Sequence, residues 1–283
     1  MRQKKQDLSD LFPNRRRRTI LWLCLAVGLL IFISYFGLVW KDAALITDCS
    51  RKNLSPNGRD WFGTDFLGRD MLKRTMTGLS MSIQLGCLTA FFSSMIALML
   101  GMAAALLGKR VDQMISGLID MVMGIPHILL LILISFACGK GIKGVIIGIS
   151  FTHWTSLARL IRAEVLQLRE SQYVKISEKL GMGRWQIARE HMLPHILPQF
   201  MTGLILLFPH AILHEASITF LGFGLAPEEP AIGMILSESM KYLITGKWWL
   251  AVFPGLSLVI CVLLFQILGQ SLSSLFDPGS IHE

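Results

Sequence analysis

Charge is scarce in this sequence. Asp, Glu, Lys and Arg make up 16% of the 283 residues, hydrophobic residues make up 53%, and the mean hydropathy is +0.56. A soluble domain carries about a quarter charged residues, so these values exclude an ordinary water-soluble domain. Cysteine is sparse too: Cys24, Cys87, Cys138 and Cys261 lie in apolar segments and Cys49 alone in a polar stretch, so no disulfide framework is implied. No Gly-x-x-x-x-Gly-Lys-Ser/Thr phosphate loop occurs, because Gly246-Lys247 lacks both the upstream glycine and the following hydroxyl. An intramembrane enzyme would want a zinc helix or a serine with its base; His214-Glu215 opens a His-Glu-x-x-His pattern that Ile218 fails to close. No internal repeat is found, which argues against a carrier built from two related halves. The net charge of +8 sits in short clusters between apolar runs, a membrane-flanking pattern with lipid as the surroundings and no nucleic acid as partner.

Long apolar runs are what the sequence has in quantity. A bilayer core of roughly 30 Å needs about 20 largely apolar helical residues, because an unsatisfied backbone group in hydrocarbon costs several kcal/mol. Six segments meet the requirement. Residues 19–40, 82–108 and 248–276 contain no charged side chain. Residues 121–139 are interrupted only by Pro126 and His127, which a helix inside a bundle tolerates. Residues 144–166 carry Arg159, Arg162 and Glu164 near their end, which should project into water, and residues 196–221 carry His210, His214 and Glu215, which neighbouring protein should shield. The expected fold class is an all-α integral membrane protein with six transmembrane helices.

Arg15 to Arg18 directly precede the first span, so the amino terminus is expected in the cytoplasm. The first apolar run is too long for a cleaved signal peptide and lacks a small-residue cleavage site. The chain then divides into a basic cytoplasmic tail (1–18), a first helix (19–40), an external segment (41–81) and a five-helix core (82–283). Residues 226–247 lie outside, the loop 167–195 lies inside, and the carboxyl terminus is cytoplasmic. The external segment holds seven basic residues, Arg69 and Arg74 among them, which runs against the charge rule.

The loop 167–195 reads as two short helices broken at Gly181. Val174, Ile176 and Leu180 are apolar in the first, against Lys175, Glu178 and Lys179; Trp185, Ile187 and Met192 punctuate the second, which stops at Pro194. Neither is long enough to be stable alone in water, so both need the bundle or a partner surface. From spacing alone a solvated connection is an equal alternative.

The loop resembles the one shared by permease subunits of ATP-binding-cassette importers. Gly181, Ile187, Leu193 and Pro194 fall at matching positions, and Tyr173-Val174 matches the lead-in of the peptide and nickel branch. Lys175-Ile176-Ser177 replaces that family's Glu-Ala-Ala opening. A second stretch, 61–70, resembles the branch's Gly-Thr-Asp-x-x-Gly-Arg-Asp signature through Gly63, Thr64, Asp65, Gly68, Arg69 and Asp70. Its residue types suit a compact turn closed by ion pairs at the membrane surface, a structural role. Phe220-Leu221-Gly222-Phe223-Gly224-Leu225-Ala226-Pro227, and Phe253-Pro254-Gly255-Leu256 with Gly269 and Asp277-Pro278, resemble further segments of the same branch. The likeness covers almost the whole chain after the basic tail.

This resemblance to the second permease of dipeptide, oligopeptide and nickel importers implies a type I importer permease fold in the bacterial cytoplasmic membrane, working by alternating access. It implies a heterodimer with a paralogous permease, two ATPase subunits that hold ATP and Mg, and an extracytoplasmic solute-binding protein; this chain itself has no cofactor and no catalytic residue. Glu178, Leu180, Gly181, Met182, Arg184 and Trp185 would meet the ATPase, and the second to fifth spans would line the path. The implied cargo is short peptides or nickel, as an ion or a small chelate.

Ionisable groups at membrane depth cost roughly 2.5–3.5 kcal/mol on insertion scales, so His127, His210, His214 and Glu215 are candidates for the translocation path. His210 and His214 share a helix face at the spacing two imidazoles need to hold one metal. The alternatives are interhelical hydrogen bonding, Glu215 satisfying a backbone break near Pro209, and a proton relay through Glu215 and His214, as in a channel or secondary transporter that needs no ATPase.

Overall fold

The computed structural model describes residues 15–226 and 228–276; residues 1–14 of the basic tail, Pro227 and the Asp277-Pro278 end lie outside the described residues. Among the described residues the regular structure is helical, with one isolated antiparallel bridge between Thr64 and Asp70. The helices are α1 (Arg15–Val39), α2 (Met71–Leu106), α3 (Lys109–Gly124), α4 (His127–Ala137), α5 (Gly141–Arg169), α6 (Gln172–Lys179), α7 (Arg184–Ile187), α8 (Leu193–Phe220), α9 (Ile232–Leu243) and α10 (Trp249–Phe276). Five helices are long and apolar enough to cross a membrane, or six if α3 and α4 together make one broken span.

Three expectations need correction. The helix that carries the second span begins at Met71, ahead of the apolar run that starts at residue 82. Asp70 caps it, accepting from the backbone N–H of Leu72 (2.9 Å) and Lys73 (3.3 Å), and the charge of Arg74 is absorbed by ion pairs. The third span is not one helix: α3 and α4 meet at 98°. Pro126 has no N–H to donate and drives Ile125 into an extended conformation (ψ 136°), so the helix stops and restarts in a new direction. The second helix of the loop does not stop at Pro194. It runs from Arg184 through a π-helical stretch (Ala188–Met192) into α8, one continuous element to Phe220.

The centre of the bundle is α2 against α5. Apolar burial drives little between helices in hydrocarbon, so close approach through small residues matters more. Ala97, Gly101 and Ala104 of α2 and Ala158 of α5 are buried along that seam. Arg159 and Arg162 of α5 do not simply reach water: they pair with Asp120 (2.8 Å) and Asp112 of α3. α1 packs on α2 and α10. Its outward side chains, such as Ile31 at 62% exposed, suit hydrocarbon surroundings.

Candidate functional site

The signature stretch 61–70 is a closed, charge-paired turn. Asp65 is buried and accepts from the backbone N–H of Leu67 (2.8 Å) and Arg69 (2.9 Å) through Oδ1, and from Arg69 Nε and Arg74 Nη1 (both 2.6 Å) through Oδ2. Arg74 Nη2 continues to Glu238 of α9 at 3.0 Å. Thr64 donates to the Arg51 carbonyl and accepts from the backbone N–H of Leu54 (2.9 Å). The Met71 N–H donates to the Gly63 carbonyl (3.0 Å), tying the turn to the start of α2. Gly68 has φ +78°, and a Cβ there would sit 1.8 Å from the Asp48 carbonyl oxygen, so only glycine fits. Arg74 and Glu238 were not anticipated. Arg74 looked like loop charge, and Glu238 lay in a segment without a pattern to pair it.

The loop 167–195 is held by its apolar side and presents the other. α6 ends in a Schellman cap: the Met182 N–H donates to the Ser177 carbonyl (3.1 Å) and the Gly181 N–H to the Glu178 carbonyl (3.0 Å), with Gly181 at φ +89°. Val174 and Ile187 are buried in the cluster formed with α2, α5 and α8, whereas Leu180 and Trp185 are 79% and 80% exposed. Glu178, Gly181 and Arg184 are exposed as well; Met182 is half-buried against the bundle. Exposed leucine and tryptophan on a loop pinned from behind form an apolar knob of the type that docks into a partner's groove.

The third feature is a cavity of about 620 Å³ between the α3–α4 bend, α5 and α8. His127, His153, His210 and His214 line it, with Met123 and Ser156. The bend brings His127, the first residue of α4, against His153 of α5 and His214 of α8. The ring centroids are 4.6 Å apart for His127–His153, 4.5 Å for His127–His214 and 4.8 Å for His153–His214, each pair nearly perpendicular. His210 lines the cavity one turn from His214, and its backbone carbonyl accepts from His214 Nδ1 (2.8 Å). His214 therefore meets His127 and His153 in a ring cluster that the His210–His214 spacing does not reveal. His153 was missed, although the cost of an ionisable group within a span would have flagged it.

Glu215 faces elsewhere. It is fully buried, accepts from Ser82 Oγ of α2 (2.6 Å) and Thr219 Oγ1 (3.0 Å), and does not line the histidine cavity. Thr219 in turn accepts from the Leu225 N–H (3.3 Å), so the carboxylate ties α8, α2 and the glycine turn together. This geometry separates Glu215 from His214 and gives no proton wire between them.

Helices broken around an intramembrane cavity, with a loop pinned to the bundle and an apolar knob exposed, define the class: a multi-pass membrane transport subunit. Residues 97–282 match the family described as the binding-protein-dependent transport system inner membrane component, and this chain belongs to that family. It is 31% identical to the nickel transport system permease protein NikC of Escherichia coli (strain K12), covering 94% of this chain and 95% of the relative. It is also 31% identical to the dipeptide transport system permease protein DppC of Bacillus subtilis (strain 168), covering 81% and 72%. A putative peptide transport system permease protein of Brucella suis is 34% identical, covering 81% and 77%. The fold matches a chain of the inward-facing MetNI methionine ABC transporter at a TM-score of 0.61 and 19% identity, over 72% of this chain and 96% of that one.

Proposed function

We propose that this chain is one half of a heterodimeric permease that imports short peptides or nickel, as an ion or a chelate, by alternating access. A paralogous permease supplies the other half, an extracytoplasmic binding protein delivers the solute, and two ATPase subunits hold ATP and Mg. Both termini lie in the cytoplasm, so the loop 167–195 faces the ATPases. The observation that carries the reading is the exposed pair Leu180 and Trp185 on a loop anchored by Val174 and Ile187.

The mechanism follows from continuity of the helix. Arg184 to Phe220 is one element, and at 1.5 Å per residue its length from Trp185 to His214 is about 44 Å. ATPase closure pushes on Leu180, Gly181, Arg184 and Trp185, with Glu178 beside them and Met182 bracing the turn. The continuous helix carries that displacement to the cavity wall at His210 and His214. Rigid-body movement of such an element against α5 is the common structural route of alternating access.

The test is to purify the chain with its neighbours, ask whether an ATPase copurifies, and compare hydrolysis and transport in Gly181→Asp. An aspartate at φ +89° strains the cap and places charge on the knob. Hydrolysis without transport is expected; transport coupled as in the unsubstituted importer would sink the proposal.

A further inference from the structure

We propose that His127, His153 and His214 form a transit site for a borderline-soft divalent metal ion such as nickel or cobalt. The inference rests on the importer reading and narrows its cargo toward the metal, free or carried in a small chelate.

The first argument is convergence. The three residues come from α4, α5 and α8, and each offers one ring nitrogen within 4.8 Å of the others. The second is ring polarity. A carbonyl only accepts, so His153 Nδ1, 3.2 Å from the Ile149 carbonyl, and His214 Nδ1, 2.8 Å from the His210 carbonyl, are the protonated nitrogens. Each ring keeps an Nε2 lone pair. Histidines that ligate metals are oriented in this way, one nitrogen donating to a carbonyl and the other facing the ion. His153 Nε2 lies 3.4 Å from His214 Nδ1, a long contact in which Nε2 accepts, so this lone pair is unprotonated and the contact must open for it to turn to an ion. The third argument is His127 Nε2, a buried nitrogen with no protein partner. Such a group carries a desolvation cost of about 1–3 kcal/mol unless something in the cavity binds it.

The donor set selects the ion. Imidazole suits nickel, cobalt, copper and zinc, while magnesium and calcium require oxygen ligands, and no carboxylate lines this cavity. The geometry is also loose. Nitrogens about 2.0–2.1 Å from a tetrahedral ion lie roughly 3.3 Å apart, closer than the 4.8 Å spread here, so the rings must draw in to grip an ion. A site that closes only in one conformation suits an ion that must be released. With about 620 Å³ around it, the metal would retain open positions for water or a chelator.

The experiment uses the assembled importer in lipid nanodiscs, titrated with cobalt(II) chloride alone and followed by the visible absorption of the metal. One cobalt per chain is expected, with the intense bands of a low-coordinate nitrogen site. Weakening of at least about tenfold is expected in His127→Ala, His153→Ala and His214→Ala, and none in His195→Ala on the exposed start of α8. X-ray absorption of the nickel-loaded, unsubstituted importer should show imidazole scattering and does not depend on any variant folding. Absence of saturable cobalt binding, or binding unchanged in the three variants, would overturn the site; if ATP-driven dipeptide uptake persists in that case, the importer reading stands by itself. Cobalt binding that His153→Ala removes, in an importer that transports peptide but no nickel, would overturn the transit role. Failure of the importer reading has a different signature, namely no copurifying ATPase and no response to Gly181→Asp.

Discussion

Arg74, on the first turn of α2, donates to Glu238 of α9 at 3.0 Å while its other terminal nitrogen holds Asp65 at 2.6 Å. One guanidinium thus joins the signature turn to the helix before the last span. Arg74 and Asp65 are buried, with side chains 5% and 3% exposed, whereas Glu238 is 22% exposed. Removing one partner of a buried pair leaves an uncompensated charge, at a cost of roughly 3–5 kcal/mol.

Arg74→Ala and Asp65→Ala should therefore destabilise the purified chain by about that amount, read as a lowered melting temperature in detergent. Glu238→Ala should cost about 1 kcal/mol or less, because water can take its place. A double-mutant cycle between positions 74 and 238 measures the coupling directly. Equal losses from Arg74→Ala and Glu238→Ala would contradict the assignment.

Glu215 gives a prediction about the engine. Ser82 and Thr219 donate to different oxygens of Glu215, so Gln keeps an acceptor for one hydroxyl and turns its amide N–H toward the other, whose oxygen accepts in its place. Uptake by Glu215→Gln should stay near that of the unsubstituted importer. Glu215→Ala should lose about 1–3 kcal/mol of stability through unsatisfied donors at a buried position. A proton-driven carrier would behave differently, with Glu215→Gln abolishing uptake and leaving the melting temperature alone.

The parts of the fold set by local chain properties were legible in the sequence. Spans such as 248–276 announce themselves because a bilayer imposes both length and apolarity. The start of α2 was hidden, because Arg74 argues for water until Asp65 and Glu238 are known to neutralise it, and Glu238 is 164 positions away in sequence. The bend at Pro126 was hidden for another reason: a proline within an apolar run fits either a kinked span or a broken one, and tertiary packing decides. The histidine cluster joins three elements. Helical periodicity reports only neighbours on one helix, so it singled out His210 with His214 and passed over His153.

The Asp48–Gly68 contact predicts an intolerant position outside the spans. Any side chain at residue 68 meets the Asp48 carbonyl and must also adopt φ +78°. Gly68→Ala should open the turn, expose Asp65 and lower the yield of folded importer, seen as faster proteolysis within 48–70. Gly58→Ala, where a Cβ meets nothing within 4 Å, is the matched control and should be neutral.

The loop separates anchoring from signalling. Ile187 is 1% exposed and packs in the central cluster, so Ile187→Ala should cost about 2–5 kcal/mol and lower the melting temperature, whatever the ATPase does. Trp185 is 80% exposed in this chain, so Trp185→Ala should change the stability of the isolated subunit by no more than about 0.5 kcal/mol. Its effect belongs to the complex. An aromatic anchor in a partner's pocket is commonly worth about 2 kcal/mol or more, so the ATPase should dissociate from Trp185→Ala some thirtyfold more readily. Pull-down of the ATPase beside a melting curve of the isolated subunit reads both quantities from one preparation. A Trp185→Ala chain that melts normally and still holds and couples its ATPase would remove Trp185 from the interface and leave Leu180 as the remaining apolar anchor of the knob.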